Sequence, residues 1–314
     1  MLFSGEKYSP FLLEYQTVAI FLLGIIIFTD SKQIDFSKPL EATAFIIGVI
    51  CLLVHILLLL IPESVIILFN NDMMKETFQV SSGPRKILSI EIWGVFHKSS
   101  PVLILVFGKK FYHFLCNKNI KYFFISIFYF YILSISGTRA NLLAVLLVLF
   151  IILLYYIFYV KKYITTAVLL FLTGFFLFSV LVYSLITIKD SSSVLKDWYL
   201  ISYINLFYDN LSIFLLGQGP GSLVEFARNG VGTELSYLEL IRTFGIIFAI
   251  VIIGIYAYPF IMLLTKRNFF SFSIAISYLA YLFIAGTNPL LTNPTGFTAL
   301  ALAFYFMNHH SAYD

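Results

Sequence analysis

The sequence predicts an all-α, polytopic transmembrane protein of about nine spans with two long external loops. Three observations predict it. Of 314 residues, 60% are hydrophobic and only 11% charged, with a mean hydropathy of +0.94. The polar residues fall between long apolar runs, each near the ~20 residues that cross a bilayer as a helix. The runs are continuous, whereas a membrane β-barrel alternates in short segments. The 35 Phe and 21 Tyr fit a lipid-facing surface with aromatic interface belts.

In order, the runs lie at about 11–29, 40–61, 99–116, 120–135, 138–160, 163–187, 234–264, 269–287 and 293–308. The run at 11–29 lacks a basic leader and a small-residue cleavage site, so it reads as a retained span. The run at 120–135 is short. The run at 234–264 is long enough to tilt or to begin outside the lipid. Residues 1–314 read as a single integral membrane domain with no room for a soluble one. The net charge of +4 comes without a long basic block, which excludes nucleic acid as a partner. Cys51 and Cys116 imply neither a disulfide nor, with the five histidines, a metal site. No internal repeat marks a transporter built from inverted halves.

Lys and Arg near short loops set the orientation. Lys109, Lys110, Lys118 and Lys121 flank one loop, Lys161 and Lys162 another, and Lys266 and Arg267 a third. All three fall on one side of a nine-span path, which reads as cytoplasmic. The other side then holds the loop at 62–98, the turn at 136–138, the loop at 188–233 and the corner at 286–294. Long loops of this kind tend to carry function. The loop at 188–233 contains Trp198, Tyr199, Tyr203, Phe207, Tyr208 and Phe214, too aromatic for a disordered linker. It reads as short amphipathic helices lying on the bilayer surface.

Arg139 is the candidate on which the others centre. It follows the break Ser136-Gly137-Thr138 and opens a long apolar helix. An interfacial anchor explains it blandly. It lies, however, on the side where anchoring cations are depleted, and an ionisable group at a membrane helix mouth is a functional candidate. A guanidinium beside a helix N-terminus suits phosphate oxygens. Gly217-Gln218-Gly219-Pro220-Gly221-Ser222 lacks the Lys-Ser/Thr ending of a phosphate loop and has no preceding strand. By itself it is a kinked loop, although its backbone N–H groups offer a cradle for a diphosphate. Arg228 adds a nearby charge.

The next helix starts at Thr233, an N-cap candidate. Glu239 and Arg242, at i and i+3, either pair with each other or contact substrate. Glu234 has no obvious local partner. It either complements the helix dipole or serves as general base on a sugar hydroxyl. Arg85 and Lys86 follow Gly83-Pro84, where they can meet an anionic headgroup. Mid-span His55 reads as a hydrogen-bonded structural histidine and Trp93 as an interface anchor. Asp190, Lys196, Asp197 and Asp209 read as solvated loop charges. Asn288-Pro289 and Asn293-Pro294 signal a tight corner.

Together these segments resemble the Wzy-type oligosaccharide repeat-unit polymerases of the O-antigen ligase/polymerase superfamily. The likeness rests on S-I-S-G-T-R at 134–139, L-L-G-Q-G-P-G-S at 215–222, E-L-S-Y-L-E-L-I-R-T-F-G-I at 234–246 and T-N-P-L-L-T-N-P-T-G at 287–296. They stand in the family's order, and the resemblance covers roughly residues 85–308. It implies a multi-pass protein of the bacterial inner membrane whose active face is periplasmic. Such a protein joins polyprenyl diphosphate-linked oligosaccharides into O-antigen or capsule, with inversion and without metal or cofactor. A chain-length regulator and a flippase are further candidate partners beside membrane lipids.

The resemblance gives Arg139 and Arg228 the diphosphate; Glu234 is the candidate base, and Gly217, Gly219, Gly221, Glu239, Arg242 and Arg85 are the candidate substrate contacts. Ligases of the superfamily often carry a histidine in the large external loop; 188–233 has none, which favours the polymerase. Family members usually have more spans and a cytoplasmic N-terminus, which points either to one or more leading spans absent from this chain or to a span that the count of nine misses. They also more often have serine where Thr138 stands. A glycan or lipid exporter is the alternative from another class. It calls for ionisable groups distributed along the spans.

Overall fold

A computed structural model describes residues 37–70, 80–87, 90–187, 191–219, 222, 226 and 233–308. The expected span at 11–29 lies outside the described residues. Helices dominate: α1 (Ser37–Leu60), α2 (Pro62–Asn70), α3 (Leu103–Asn117), α4 (Ile120–Ile135), α5 (Arg139–Tyr155), α6 (Ile164–Thr187), α7 (Ser191–Asp209), α8 (Leu211–Leu216), α9 (Ser236–Thr265), α10 (Phe269–Gly286) and α11 (Pro294–Asn308). Among the described residues, four helices are long and apolar enough to cross a membrane: Ser37–Leu60, Arg139–Val160, Ser236–Thr265 and Phe269–Gly286. Ile120–Ile135 and Ile164–Val180 are shorter apolar helices. The segments expected as spans at 99–116 and 293–308 form α3 and α11, of 15 residues each. At ~1.5 Å per residue these reach about 22 Å, short of a ~30 Å hydrocarbon core.

One departure from an all-helical chain lies at 80–97. There β1 (Val80–Ile87) and β2 (Ile90–His97) form an antiparallel hairpin pairing Gly83 with Gly94 and Pro84 with Trp93. Gly83-Pro84 hid the strand, because proline lacks the ladder N–H. A two-stranded ribbon has outward-facing edges that tolerate this. Val80 and Val95 are fully buried, and His55 is buried on α1 near the Trp93 backbone. His55 also meets the Tyr131 ring edge-on at 5.8 Å.

At the end of β2, the Ser99 N–H donates to His97 Nδ1 at 3.0 Å. Only a neutral ring accepts that bond. Burial, with Lys98 beside it, holds the imidazole below its usual range. A depressed folded-state value means that this link stabilises fully above about pH 6.5 and is lost as pH falls. Protection of the amides at 97–103, taken relative to the intrinsic exchange rate at each pH, is expected to fall as pH is lowered from about 7 to 5. His97→Gln should remove that pH dependence; an unchanged profile in the native chain would show that the ring does not titrate there.

The chain packs as two compact units, 33–188 with 260–284 and 189–259 with 285–308, besides terminal segments outside the described residues. In the first, the helix ends are set by local chemistry. Lys118 takes the left-handed conformation (φ 50°) that closes α3, and its N–H reaches Phe114 O at 2.8 Å. The Asn119 side chain caps α4 by accepting the Lys121 N–H at 2.9 Å, and Asn268 caps α10 through the Ser271 N–H at 2.8 Å. Ser271, Ser273, Ala275 and Ser277 are buried along α10 and let α3 approach closely at Gly108.

Rings hold one end of this unit together. His113 stacks on Tyr122, Tyr112 meets Phe269, and Phe269 stacks on both Tyr155 and Tyr156. The basic loops that follow α3, follow α5 and precede α10 therefore gather at the same end. Inside it, Lys109 pairs with Glu41 at 2.7 Å, and Lys110 also pairs with Glu41. Lys109, expected as an interface anchor, is only 4% exposed.

Candidate functional site

At the other end of α5, the chain turns sharply through Gly137 (φ 68°). Thr138 is extended (φ −97°, ψ 126°), and its hydroxyl accepts the Asn141 N–H at 3.4 Å as N-cap. Ser136 Oγ donates to Leu133 O at 2.7 Å, and Asn141 Nδ2 donates to Ser136 Oγ at 2.9 Å. Ser136 and Asn141 are buried, so this polar network sits inside the protein and fixes where the helix starts. Arg139 is the first helical residue and is half-buried. Asn141 drew no attention in the sequence, although an amide two residues into an apolar helix marks a buried partner.

The second unit brings together three of the four motif segments. Arg242 of α9 is 0% exposed. Its Nε donates to Glu239 Oε2 at 3.0 Å and its Nη2 to Glu239 Oε1 at 2.5 Å. Nη1 donates to Gln218 Oε1 at 2.7 Å and Ser222 Oγ at 2.5 Å, and Nη2 also reaches Thr243 Oγ1 at 3.4 Å. These bonds use all five guanidinium donors within the chain. Arg242 is thus a clamp between α9 and the glycine-rich loop, and its geometry opposes the expected direct contact with substrate. Of the two alternatives for Glu239 and Arg242, pairing is the one seen.

The loop is stitched to α9 by backbone as well. Gln218 N–H donates to Arg242 O at 2.7 Å and Gly219 N–H to Thr243 O at 3.0 Å, while Gly217 N–H closes α8 on Ile213 O at 2.8 Å. These three N–H groups are committed internally, so 217–219 is not the anion cradle its glycines offered. The glycines serve a crossing of two backbones instead. Gly217 (φ 82°) and Gly245 (φ 77°) both take left-handed conformations, and Gly245 breaks α9. A Cβ on Gly217 would lie 2.5 Å from Thr243 O and 2.6 Å from Gly245 N, whereas one on Gly219 (φ 86°) meets nothing within 4 Å. Gly219→Ala should cost only the left-handed strain, about 1–2 kcal/mol. Gly217→Ala adds a backbone clash and should lower the melting temperature clearly more. Equal shifts would mean that the crossing is not needed. Gly221 lies outside the described residues.

Glu234, expected without a local partner, has a distant one. Lys196 of α7 pairs with Glu234 Oε2 at 3.2 Å and donates to Thr287 O at 2.8 Å. Lys196 is therefore a tertiary tie rather than a solvated loop charge. The corner at 287–293 is gripped further: Ser236 Oγ donates to Asn288 O at 2.5 Å, and the Tyr256 hydroxyl donates to Leu291 O. Asn293 caps α11 through the Gly296 N–H at 3.0 Å, with Pro294 at the first helical position.

Tyr203 of α7 is fully buried; its hydroxyl donates to Glu239 and lies 2.9 Å from the hydroxyl of Thr233. Burial, with the Glu239 carboxylate next to it, pushes the phenol above its usual range. Part of the aromatic loop is helical, but as one 19-residue helix, α7, and the short α8 rather than a set of short amphipathic surface helices; Tyr199 and Tyr203 of α7 are buried one turn apart. Tyr203 carries more of this site than any cue in the sequence indicated.

Arg139 belongs to the first unit, and Glu234, Glu239 and Arg242 to the second. Arg85 stands opposite Ile92 in the hairpin register. Arg228 lies outside the described residues. Among the described residues, no three His, Cys, Asp or Glu side chains gather where a metal ion would be held. No protein-family model, curated protein or solved structure matches this chain.

Proposed function

We propose that this chain is an inverting membrane glycosyltransferase that joins polyprenyl diphosphate-linked oligosaccharides into a surface polysaccharide, O-antigen or capsule. The observation that carries the reading is that the segment at 234–246 meets both of the others, at 215–222 and 287–296: buried Arg242 holds Gln218 and Ser222, and Ser236 holds Asn288. These segments carried the resemblance to the Wzy-type polymerases, and residues distant in sequence meet there. The nine-span path, the inner-membrane location and the periplasmic active face are parts of the same reading.

In this reading an acceptor sugar hydroxyl attacks the anomeric carbon of the donor chain. The bond from that carbon to the diphosphate oxygen breaks, and the diphosphate leaves with the electron pair. Arg139, at the start of α5, meets the charge that develops on the leaving group. Arg228 is a second cation for the same role. Glu234, half-exposed beside Lys196, accepts the hydroxyl proton. Arg242 and Tyr203 hold Glu239 and the glycine-rich loop in place and are positioning residues.

Deleting the gene and displaying surface glycan by length on a gel tests the reading. The expected result is single repeat units in place of a long ladder, restored by the native gene. Completed units trapped inside the cell would favour an exporter instead. Full-length glycan left on its polyprenyl diphosphate carrier would favour a ligase.

A further inference from the structure

The C-terminal end of α5 does not finish as an α-helix. Tyr156–Val160 form a π-helical turn in which the Lys161 N–H reaches Tyr156 O at 2.9 Å. Turns of this kind are uncommon and concentrate at functional sites. The widened turn stacks Tyr155 on Tyr159 with centroids 4.6 Å apart, and Tyr155 on Phe272 at 4.0 Å. Against the start of α6 this leaves an open groove of about 300 Å³, lined by residues including Leu154, Phe158, Tyr159, Ala167, Val168 and Phe171, with no polar atom on its wall. That volume is at the lower end of the range for ligand sites.

Lys161 and Lys162 stand directly beyond Tyr159 and Val160, and both are exposed. Lys161 Nζ lies 5.4 Å from the centre of the Tyr156 ring. Among the described residues neither lysine has a carboxylate partner, and Glu41 at this end is taken by Lys109 and Lys110. An apolar slot with two uncompensated cations at its mouth matches a molecule with a long chain and an anionic head.

We propose that this groove binds one anionic phospholipid, with an acyl chain in the slot and its phosphate on Lys161 and Lys162. The helix from Arg139 to Val160 has 22 residues, about 33 Å at ~1.5 Å each. The lipid therefore sits in the leaflet opposite Arg139, and the proposal stands apart from the glycosyltransferase reading. A lipid there ties α5 to α6 through the groove they share.

The test uses the full chain in phosphatidylcholine nanodiscs carrying trace spin-labelled phosphatidylglycerol or spin-labelled phosphatidylcholine. The native chain should immobilise the anionic lipid preferentially. Lys161→Ala with Lys162→Ala should reduce that preference roughly fivefold per lysine. Lys161→Arg with Lys162→Arg should keep it, which separates charge from folding. Val168→Trp, at a half-exposed position on the groove wall, should lower immobilisation of both lipids.

Equal immobilisation by the native chain overturns the proposal, as does an unchanged preference in the double alanine variant or unchanged immobilisation in Val168→Trp. Displacement of the label by polyprenyl phosphate and not by unlabelled phosphatidylglycerol would assign the groove to a carrier lipid and also overturn it.

Discussion

Replacing Arg139 with alanine is expected to leave the protein in the membrane and stop glycan extension. The start of α5 is capped by Thr138 and braced by the Ser136–Asn141 hydrogen bond, and alanine at 139 leaves both in place. Truncation there should therefore spare the fold. The proposed reaction builds negative charge on a leaving diphosphate, and removing one preorganised donor at such a site costs on the order of 10²–10³ in rate. Arg139→Lys keeps the charge but loses the planar fork, so partial recovery is expected, with shorter chains. The measurement is glycan length in a deletion strain complemented with each variant, with membrane levels checked. Full-length glycan from Arg139→Ala would make this residue structural and remove the central support for the mechanism.

Arg242→Ala should have the largest effect on stability. The side chain is fully buried, and its loss strands Glu239, Gln218 and Ser222 at once. Breaking a buried ion pair by deleting one partner costs about 3–5 kcal/mol, because the remaining charge is left uncompensated. Glu239 keeps some contact with solvent, with its side chain 20% exposed, so the lower end of that range applies. Glu239→Gln combined with Arg242→Met should recover part of the loss, since no lone charge then remains. Thermal unfolding of the purified protein in one detergent measures both. If Arg242→Ala melts like the native chain but loses glycan extension, the clamp assignment fails and the arginine returns to the substrate.

Much of the helical plan was legible in the sequence. Long apolar runs place α1, α5, α9 and α10, because a membrane helix satisfies its backbone internally and needs only apolar side chains over ~20 residues. Local chemistry was legible in part. The break at 136–138 and the corner at Asn293-Pro294 marked the starts of α5 and α11, where Thr138 and Asn293 each accept an N–H three residues ahead, whereas the cap of α4 at Asn119 was not anticipated. The pairing of Glu239 with Arg242 is of the same kind, since i and i+3 share a helix face.

The remaining features depend on partners far apart in the chain, and only the tertiary structure decided them. Lys196 and Glu234 look solvated and unpartnered until α7 is laid beside the start of α9. Gly217 and Gly245 look like part of a kinked loop and an ordinary helix residue until their backbones cross. Tyr203 looks like one aromatic among many until Glu239 meets its hydroxyl. The hairpin at 80–97 is hidden because Gly83-Pro84 breaks any single strand, and only the facing strand shows why it pairs. Apolar periodicity reports on a helix's own surroundings, whereas a buried polar contact is fixed by whichever side chain arrives from elsewhere.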